Sequence, residues 1–189
     1  MSIRTMTLAS IMTALVIVFT LLGKFIPLGA NNVSLALVPI VIGAATGGTA
    51  ISTWLGFVFG LMVLATDAAA FLAISVPGTV ITVLLKGTAC GFVSGVVYNL
   101  TKKKSEYLAV YMSAIVCPIV NTGIFLLGCV IFFFDTIKGW GVGAGYGSTV
   151  EYMFLGLAGG NFIFELITNL LLSPTVVFLT KMKNQIFKR

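Results

Sequence analysis

The sequence contains no histidine and very little charge. Of its 189 residues, 8% are charged and 59% are hydrophobic, whereas a soluble domain usually carries about 25% charged residues. With so few charges the chain cannot cover a folded surface with polar side chains, and we predict an integral membrane protein. The absence of histidine excludes histidine-ligated zinc or haem and a Ser-His catalytic pair.

Other chemical motifs are also missing. Three cysteines, Cys90, Cys117 and Cys129, lie inside apolar runs, and an odd number without paired spacing argues against a disulfide framework. There is no G-x-x-x-x-G-K-[ST] loop for binding ATP phosphates. The acidic residues are too scattered for a metal site or a carboxylate pair. We therefore expect no enzymatic activity, no metal and no cofactor in this chain.

The positive charge is concentrated beyond the ends of apolar runs. The formal net charge is +6, and eight of the eleven basic residues are Arg4, Lys102, Lys103, Lys104, Lys181, Lys183, Lys188 and Arg189. Basic residues next to spanning helices mark the cytoplasmic side of a membrane protein. With six spans, this rule places both termini in the cytoplasm. Five spans with the first segment reversed would satisfy the rule equally well.

Helix length favours six spans in a single all-α membrane domain, residues 1–189. The apolar runs predict helices at about 5–26, 33–45, 50–64, 79–100, 107–134 and 152–180. The run Val33–Leu64 decides the count, because as one helix it would be about 48 Å long against a hydrocarbon core of about 30 Å. The Gly47-Gly48 pair suggests that it breaks into two short helices.

Two ionisable residues are predicted at membrane depth, where such residues usually have a function. Lys86 is an electrostatic anchor for an anionic group in an outward-facing cavity, or it extends along the bilayer to reach water. Glu165 contacts a ligand, or it is a protonated carboxyl that hydrogen-bonds to a neighbouring helix. Asn161 is four residues before Glu165 and shares its helix face. Asn121 begins a polar Asn-Thr-Gly notch in an apolar helix, and both amides could instead bond between helices.

The predicted outer loops carry further polar and aromatic candidates. These loops are Pro27–Asn32, Ala65–Gly78 and Asp135–Glu151, and their candidate ligand-binding residues are Asn31, Asn32, Trp140 and Tyr146. Few aromatic residues are expected in the outer halves of the helices themselves. The sequence therefore disfavours a large stacked ring as the ligand.

Small residues recur four apart in several helices, which lets helix backbones approach closely. Gly56 with Gly60, the series Gly87, Gly91 and Gly95, and Gly156 with Gly160 are predicted to pack the bundle. In the first helix, Ala9 with Thr13 and Ser10 with Ala14 have the same spacing. These two pairs either pack inside the bundle or form a smooth groove for another membrane subunit.

Taken together, these features resemble the S components of energy-coupling-factor transporters. The similarity covers nearly the whole chain and is carried by four features: the two small-residue pairs of the first helix, the segment Leu37–Gly48 (LVPIVIGAATGG), the lysine run 102–104, and Val120–Gly123 (VNTG). The resemblance implies a vitamin-binding subunit of the bacterial plasma membrane that associates with a coupling membrane protein and two cytoplasmic ATPases. Ala9, Ser10, Thr13 and Ala14 would then contact the coupling subunit.

The resemblance also implies where substrate binds. Sites of the family are formed by the outer halves of the last three helices and by the outer loops, which coincides with the candidate residues above. The chain looks most like pantothenate-type members, with riboflavin or another vitamin as the alternative substrate. A self-sufficient proton-linked carrier that uses Glu165, and a membrane protein with a purely structural role, are the competing functions.

Overall fold

The computed structural model of the protein describes residues 3–24, 27–28, 31–32 and 35–186. Within these residues the chain is built from helices, apart from one pair of two-residue strands. The elements in chain order are α1 (Ile3–Gly23), β1 (Pro27–Leu28), β2 (Asn31–Asn32), α2 (Leu37–Gly47), α3 (Thr49–Thr66), α4 (Ala69–Leu72), α5 (Val76–Thr101), α6 (Glu106–Phe132), α7 (Phe134–Gly143), α8 (Thr149–Glu151), the π-helix π1 (Tyr152–Gly159) and α9 (Gly160–Ile186). The strands pair antiparallel, with Pro27 opposite Asn32.

In the part of the chain that the structure describes, five helical stretches are long and apolar enough to cross a membrane. They are Thr5–Gly23, Thr49–Thr66, Val76–Thr101, Glu106–Phe132 and Thr149–Met182. The apolar helix α2 has only 11 residues, which makes it about 16 Å long, roughly half of the hydrocarbon core. The predicted all-helical membrane bundle is therefore confirmed at this level.

The long apolar run divides at the glycine pair. Gly48 separates α2 from α3 and has a φ of 79°, a left-handed conformation that glycine adopts without steric cost. The helices predicted at 33–45 and 50–64 are observed at 37–47 and 49–66. Of the two, only α2 is too short to span the bilayer.

Two predicted boundaries near the end of the chain were wrong. The helix predicted to reach residue 134 ends at Phe132, because Phe133 leaves the helical conformation with φ −134°. The predicted loop Asp135–Glu151 contains α7, although its glycines are typical of a loop. Tertiary packing overrides that local preference, because Ile137 and Gly141 are buried.

The helices α3 and α5 pack closely through their glycines. A Cβ atom on Gly56 would meet the carbonyl oxygen of Gly87, and one on Gly91 would meet the carbonyl oxygen of Ser52. Near one end of this interface, Asn99 Nδ2 donates a hydrogen bond to Thr49 Oγ1 over 2.8 Å. The two backbones are therefore in contact along much of their length, as the spacing of the glycines predicted.

The short helix α2 lies inside the bundle and contacts α1, α3, α5, α6 and α9. Eight of its eleven residues are buried. Leu37, Ile40 and Ala44 have no exposed surface, and they pack in the main apolar core with residues such as Leu55 and Val110. A helix in this position can be short because protein rather than lipid surrounds it.

Basic residues of the α5–α6 turn and of α9 lie together at one end of the bundle. Lys102, Lys103 and Lys104 form the turn between α5 and α6. Lys181, near the end of α9, donates a hydrogen bond from Nζ to the hydroxyl of Tyr107, 3.2 Å away, at the start of α6. The α5–α6 turn and the end of α9 therefore lie together.

We predict that Gly91→Ala lowers the melting temperature of the purified protein in detergent, because the new methyl group would overlap the carbonyl of Ser52. Overpacking of this kind typically costs about 1–3 kcal/mol. The matched control is Gly123→Ala, because a Cβ atom there would meet nothing within 4 Å. An unchanged melting temperature for Gly91→Ala would show that the two helices separate without cost.

Candidate functional site

A cavity of about 390 Å³ lies toward the end of the bundle opposite the lysine turn between α5 and α6. This volume is within the range of small-molecule sites, roughly 300–1,000 Å³. Side chains from α1, α3, α5, α6 and the segment π1–α9 line it, together with the connection between α3 and α5. The polar lining residues are Thr20, Thr66, Asp67, Thr79, Thr82, Lys86, Asn121, Thr122, Asn161 and Glu165.

The structure brings four of the predicted residues together on this cavity. Lys86 comes from α5, Asn121 from α6, and Asn161 and Glu165 from α9. Their helices are neighbours in the bundle. The sequence places Lys86 and Glu165 at different depths, yet both line the same space. Whether these residues contact a substrate remains a prediction.

The ammonium group of Lys86 lies against aromatic rings. Its Nζ atom is 5.1 Å from the ring centroid of Phe125 on α6 and 6.0 Å from that of Phe59 on α3. Cation–π contacts of this length stabilise an ammonium group without neutralising it. Among the residues that the structure describes, Lys86 forms no ion pair and no hydrogen bond. The two rings therefore hold the ammonium group in place, and no carboxylate of the described residues contacts it directly.

The carboxyl group of Glu165 is bonded to two amides instead. Asn161 Nδ2 donates to Oε1 over 3.0 Å, and Asn121 Nδ2 donates to Oε2 over 3.4 Å. Glu165 is 1% exposed and Asn121 is 3% exposed. Each carboxyl oxygen thus has an amide donor, and the bond from Asn121 links α6 to α9, as the interhelical alternative predicted.

A second carboxylate lies near the mouth of the cavity. Asp67 follows the last residue of α3, is exposed, and accepts a hydrogen bond from the hydroxyl of Thr66. The described lining therefore contains one ammonium group and two carboxyl groups. A ligand that fits this cavity should carry an anionic group for Lys86 and a hydrogen-bond donor for Asp67, because both oxygens of Glu165 already accept hydrogen bonds from amides.

Four phenylalanines line the cavity, Phe59, Phe71, Phe125 and Phe133. The expectation of few aromatic residues in this part of the bundle was wrong. Phe71, on the short helix α4, makes edge contacts with Phe125 and Phe133 at centroid distances of 5.7 and 5.1 Å. The aromatic lining is therefore compatible with a ligand that contains a ring.

Two of the predicted loop residues, Trp140 and Tyr146, are not among the described residues that line the cavity. Trp140, on α7, packs edge-on against Phe71 at 5.6 Å, and Tyr146 packs on Tyr152 at 5.2 Å. They form an aromatic layer behind the cavity wall. The backbones of Asn31 and Asn32 belong to β2, whereas their side chains lie outside the described part of the structure.

Sequence reasoning missed several lining residues. Thr79 and Thr82 line the cavity on the same helix as Lys86, at spacings of three and four, which place all three side chains on one face. That polar stripe could have been found in the sequence. The lining residues Leu157 and Ala158 belong to π1, and π-helical turns often occur at functional sites, but apolar residues give no local indication of them.

The two small-residue pairs of α1 lie on different faces. Ala9 and Thr13 are half-buried, and Trp54 Nε1 on α3 donates to Thr13 Oγ1 over 3.1 Å. Ser10 and Ala14 are exposed. The first pair therefore packs against the bundle, and the second belongs to the surface of α1.

Comparison with known proteins identifies the family. The family described as "ECF transporter, substrate-specific component" matches residues 4–179. No curated protein matches the sequence. The match spans nearly the whole chain and all the helices that line the cavity. This chain therefore belongs to the family of substrate-specific components of ECF transporters, which are membrane subunits that bind the transported substrate and are not enzymes.

Proposed function

We propose that this chain captures a small anionic molecule in the cavity beside Lys86 and presents it to partner subunits for ATP-driven import. Family membership supports a substrate-specific subunit. One observation indicates that the ligand is anionic. The ammonium group of Lys86 lines the cavity and has no ion-pair partner among the described residues. In the proposed assembly, two cytoplasmic ATPases and a coupling membrane subunit supply the energy and the translocation machinery.

Pantothenate is the substrate that we favour. It carries a carboxylate, which Lys86 would bind, and hydroxyl and amide groups that can donate hydrogen bonds to Asp67. Both residues line the same cavity. A charge-assisted contact between a lysine and a carboxylate is stronger than a neutral hydrogen bond, and it would fix the orientation of the molecule.

Riboflavin is the second candidate, and a specific observation favours it. The phenyl rings of Phe59, Phe71, Phe125 and Phe133 line the cavity, and aromatic side chains stack on flat ring systems. Two of these rings, however, already contact the ammonium group of Lys86. Fewer rings are then left to stack on riboflavin, and we therefore rank it second.

Native mass spectrometry of the purified chain, released gently from detergent, decides between these candidates. We expect a bound molecule with the mass of pantothenate to travel with the protein. A bound mass equal to that of riboflavin would select the second candidate. Protein without any bound small molecule, even after incubation with both vitamins, would contradict substrate capture.

For the orientation, we propose that the chain crosses the membrane six times, with the short helix α2 inside the bundle forming part of one crossing, and that both termini are in the cytoplasm. The start of α1, the lysine turn and the end of α9 lie at one end of the bundle, because Thr20 near the end of α1 lines the cavity at the other end. The positive-inside rule assigns the basic end to the cytoplasm. The cavity then faces the outside of the cell at the plasma membrane.

We predict that Lys86→Ala weakens pantothenate binding by at least about tenfold, because a charged hydrogen-bonding partner contributes about 1.5–3 kcal/mol. Isothermal titration calorimetry of the protein in detergent measures the effect. The control is Lys138→Ala, since Lys138 is exposed and does not line the cavity. Equal affinities of Lys86→Ala and the unaltered protein would indicate instead that Lys86 extends along the bilayer to reach water.

For the partner surface, we propose the exposed pair Ser10 and Ala14. We predict that Ala14→Trp leaves pantothenate binding intact and reduces uptake by proteoliposomes that hold the complete transporter, because the indole prevents close helix approach. Loss of binding would place Ala14 in the bundle interior.

Uptake by this chain alone, driven by a proton gradient without ATPases, would establish the carrier alternative.

A further inference from the structure

The cavity contains an ammonium group and a buried carboxyl group that do not form an ion pair. Lys86 and Glu165 both line it and attract each other electrostatically. A lysine ammonium is a compact charge on a flexible stem, and a carboxylate in a cavity of low polarity is its natural partner. Their separation in the described structure therefore needs a physical cause.

The carboxyl group of Glu165 is bonded to two amides instead of to Lys86. Asn121 and Asn161 donate to different oxygens of Glu165, over 3.4 and 3.0 Å, from two helices. A carboxylate accepts hydrogen bonds and donates none, and the amide nitrogen of asparagine is a donor. With one donor on each oxygen, the carboxyl group is satisfied without moving toward Lys86.

We propose that Asn121 and Asn161 are positioning residues that hold Glu165 away from Lys86, so that the ammonium group stays available for the anionic group of the ligand. This proposal rests on the proposed function only for the identity of the ligand. The ligand would be an anion, and it would bind Lys86 without first breaking a salt bridge between Lys86 and Glu165. Without the amides, Glu165 becomes an internal competitor for Lys86.

The geometry of Lys86 agrees with this role. Its Nζ atom contacts the faces of Phe59 and Phe125, which keep the charge in the cavity without occupying its hydrogen-bond donors. The other carboxyl group that acts on Lys86 electrostatically, Asp67, lies at the exposed mouth beside Thr66. Water screens an exposed charge more than a buried one, so Glu165 is the stronger competitor.

The test combines the double substitution Asn121→Leu/Asn161→Leu with removal of the competitor. Leucine has nearly the size of asparagine and no donor. With pantothenate as the probe in calorimetry, we expect the double variant to bind at least about tenfold more weakly. Adding Glu165→Gln should restore the affinity to within about threefold of the unaltered protein, because no carboxylate is then left to pair with Lys86.

Two control variants separate this role from a general structural one. Adding Asp67→Asn in place of Glu165→Gln removes a different carboxyl group of the same cavity and should restore nothing. Asn169→Leu removes a buried amide of α9 that is not on the lining and should leave the affinity unchanged. If Glu165→Gln fails to restore binding, or Asp67→Asn restores it equally, the proposal is wrong.

A measurement without ligand distinguishes failure of this proposal from failure of the proposed function. A double-mutant cycle of Lys86→Met and Glu165→Gln, read from melting temperatures, measures the coupling between the two charges. We expect this coupling to increase when both asparagines are leucine. If pantothenate does not bind the unaltered protein, the substrate assignment fails, but the double-mutant cycle still tests whether the asparagines keep the two charges apart. An unchanged coupling would overturn the positioning role.

Discussion

The contact between α3 and α5 is the packing constraint on which the site depends. Its glycines bring the two backbones together, and the chain positions next to them carry cavity residues. Phe59 precedes Gly60 on α3, and Lys86 precedes Gly87 on α5. A Cβ atom on Gly87 would lie 2.9 Å from the nitrogen of Gly60. The same close approach that joins the helices thus sets Lys86 beside the ring of Phe59.

Hydroxyl groups and amides behave differently in this apolar bundle. Thr20, Thr79 and Ser173 each donate to the carbonyl oxygen four residues earlier, so their own helix satisfies them. The longer side chains of Lys86, Asn121 and Glu165 make no such bond to the backbone of their own helices. They must meet other side chains or a ligand, and in this structure they meet at the cavity. This difference explains why charged and amide residues were the more informative ones in the sequence.

The sequence predicted those parts of the fold and site that depend on local composition. Apolar runs, the break at Gly47-Gly48 and the spacing of Asn161 and Glu165 all follow from the order of residues. The position of Trp140 behind the cavity wall does not, because it depends on α7 folding back onto Phe71. Phenylalanines such as Phe133 could not be recognised either, since in a membrane helix a lining phenylalanine has the same local pattern as a lipid-facing one.

The distribution of charge in the cavity also has an energetic consequence for ligand capture. An ammonium group in a site of low polarity is costly when no opposite charge is near, and Glu165 supplies that charge. If the two groups were paired directly, an arriving anion would have to break the pair, and the energy of that step would be lost from binding. Asn121 and Asn161 hold the carboxyl group of Glu165 nearby. From there it attracts the ammonium group of Lys86 without contacting it, so the hydrogen-bond donors of Lys86 stay unoccupied. Glu165 can therefore stabilise the charge of Lys86 while the ammonium group remains free to bind the anionic group of a ligand.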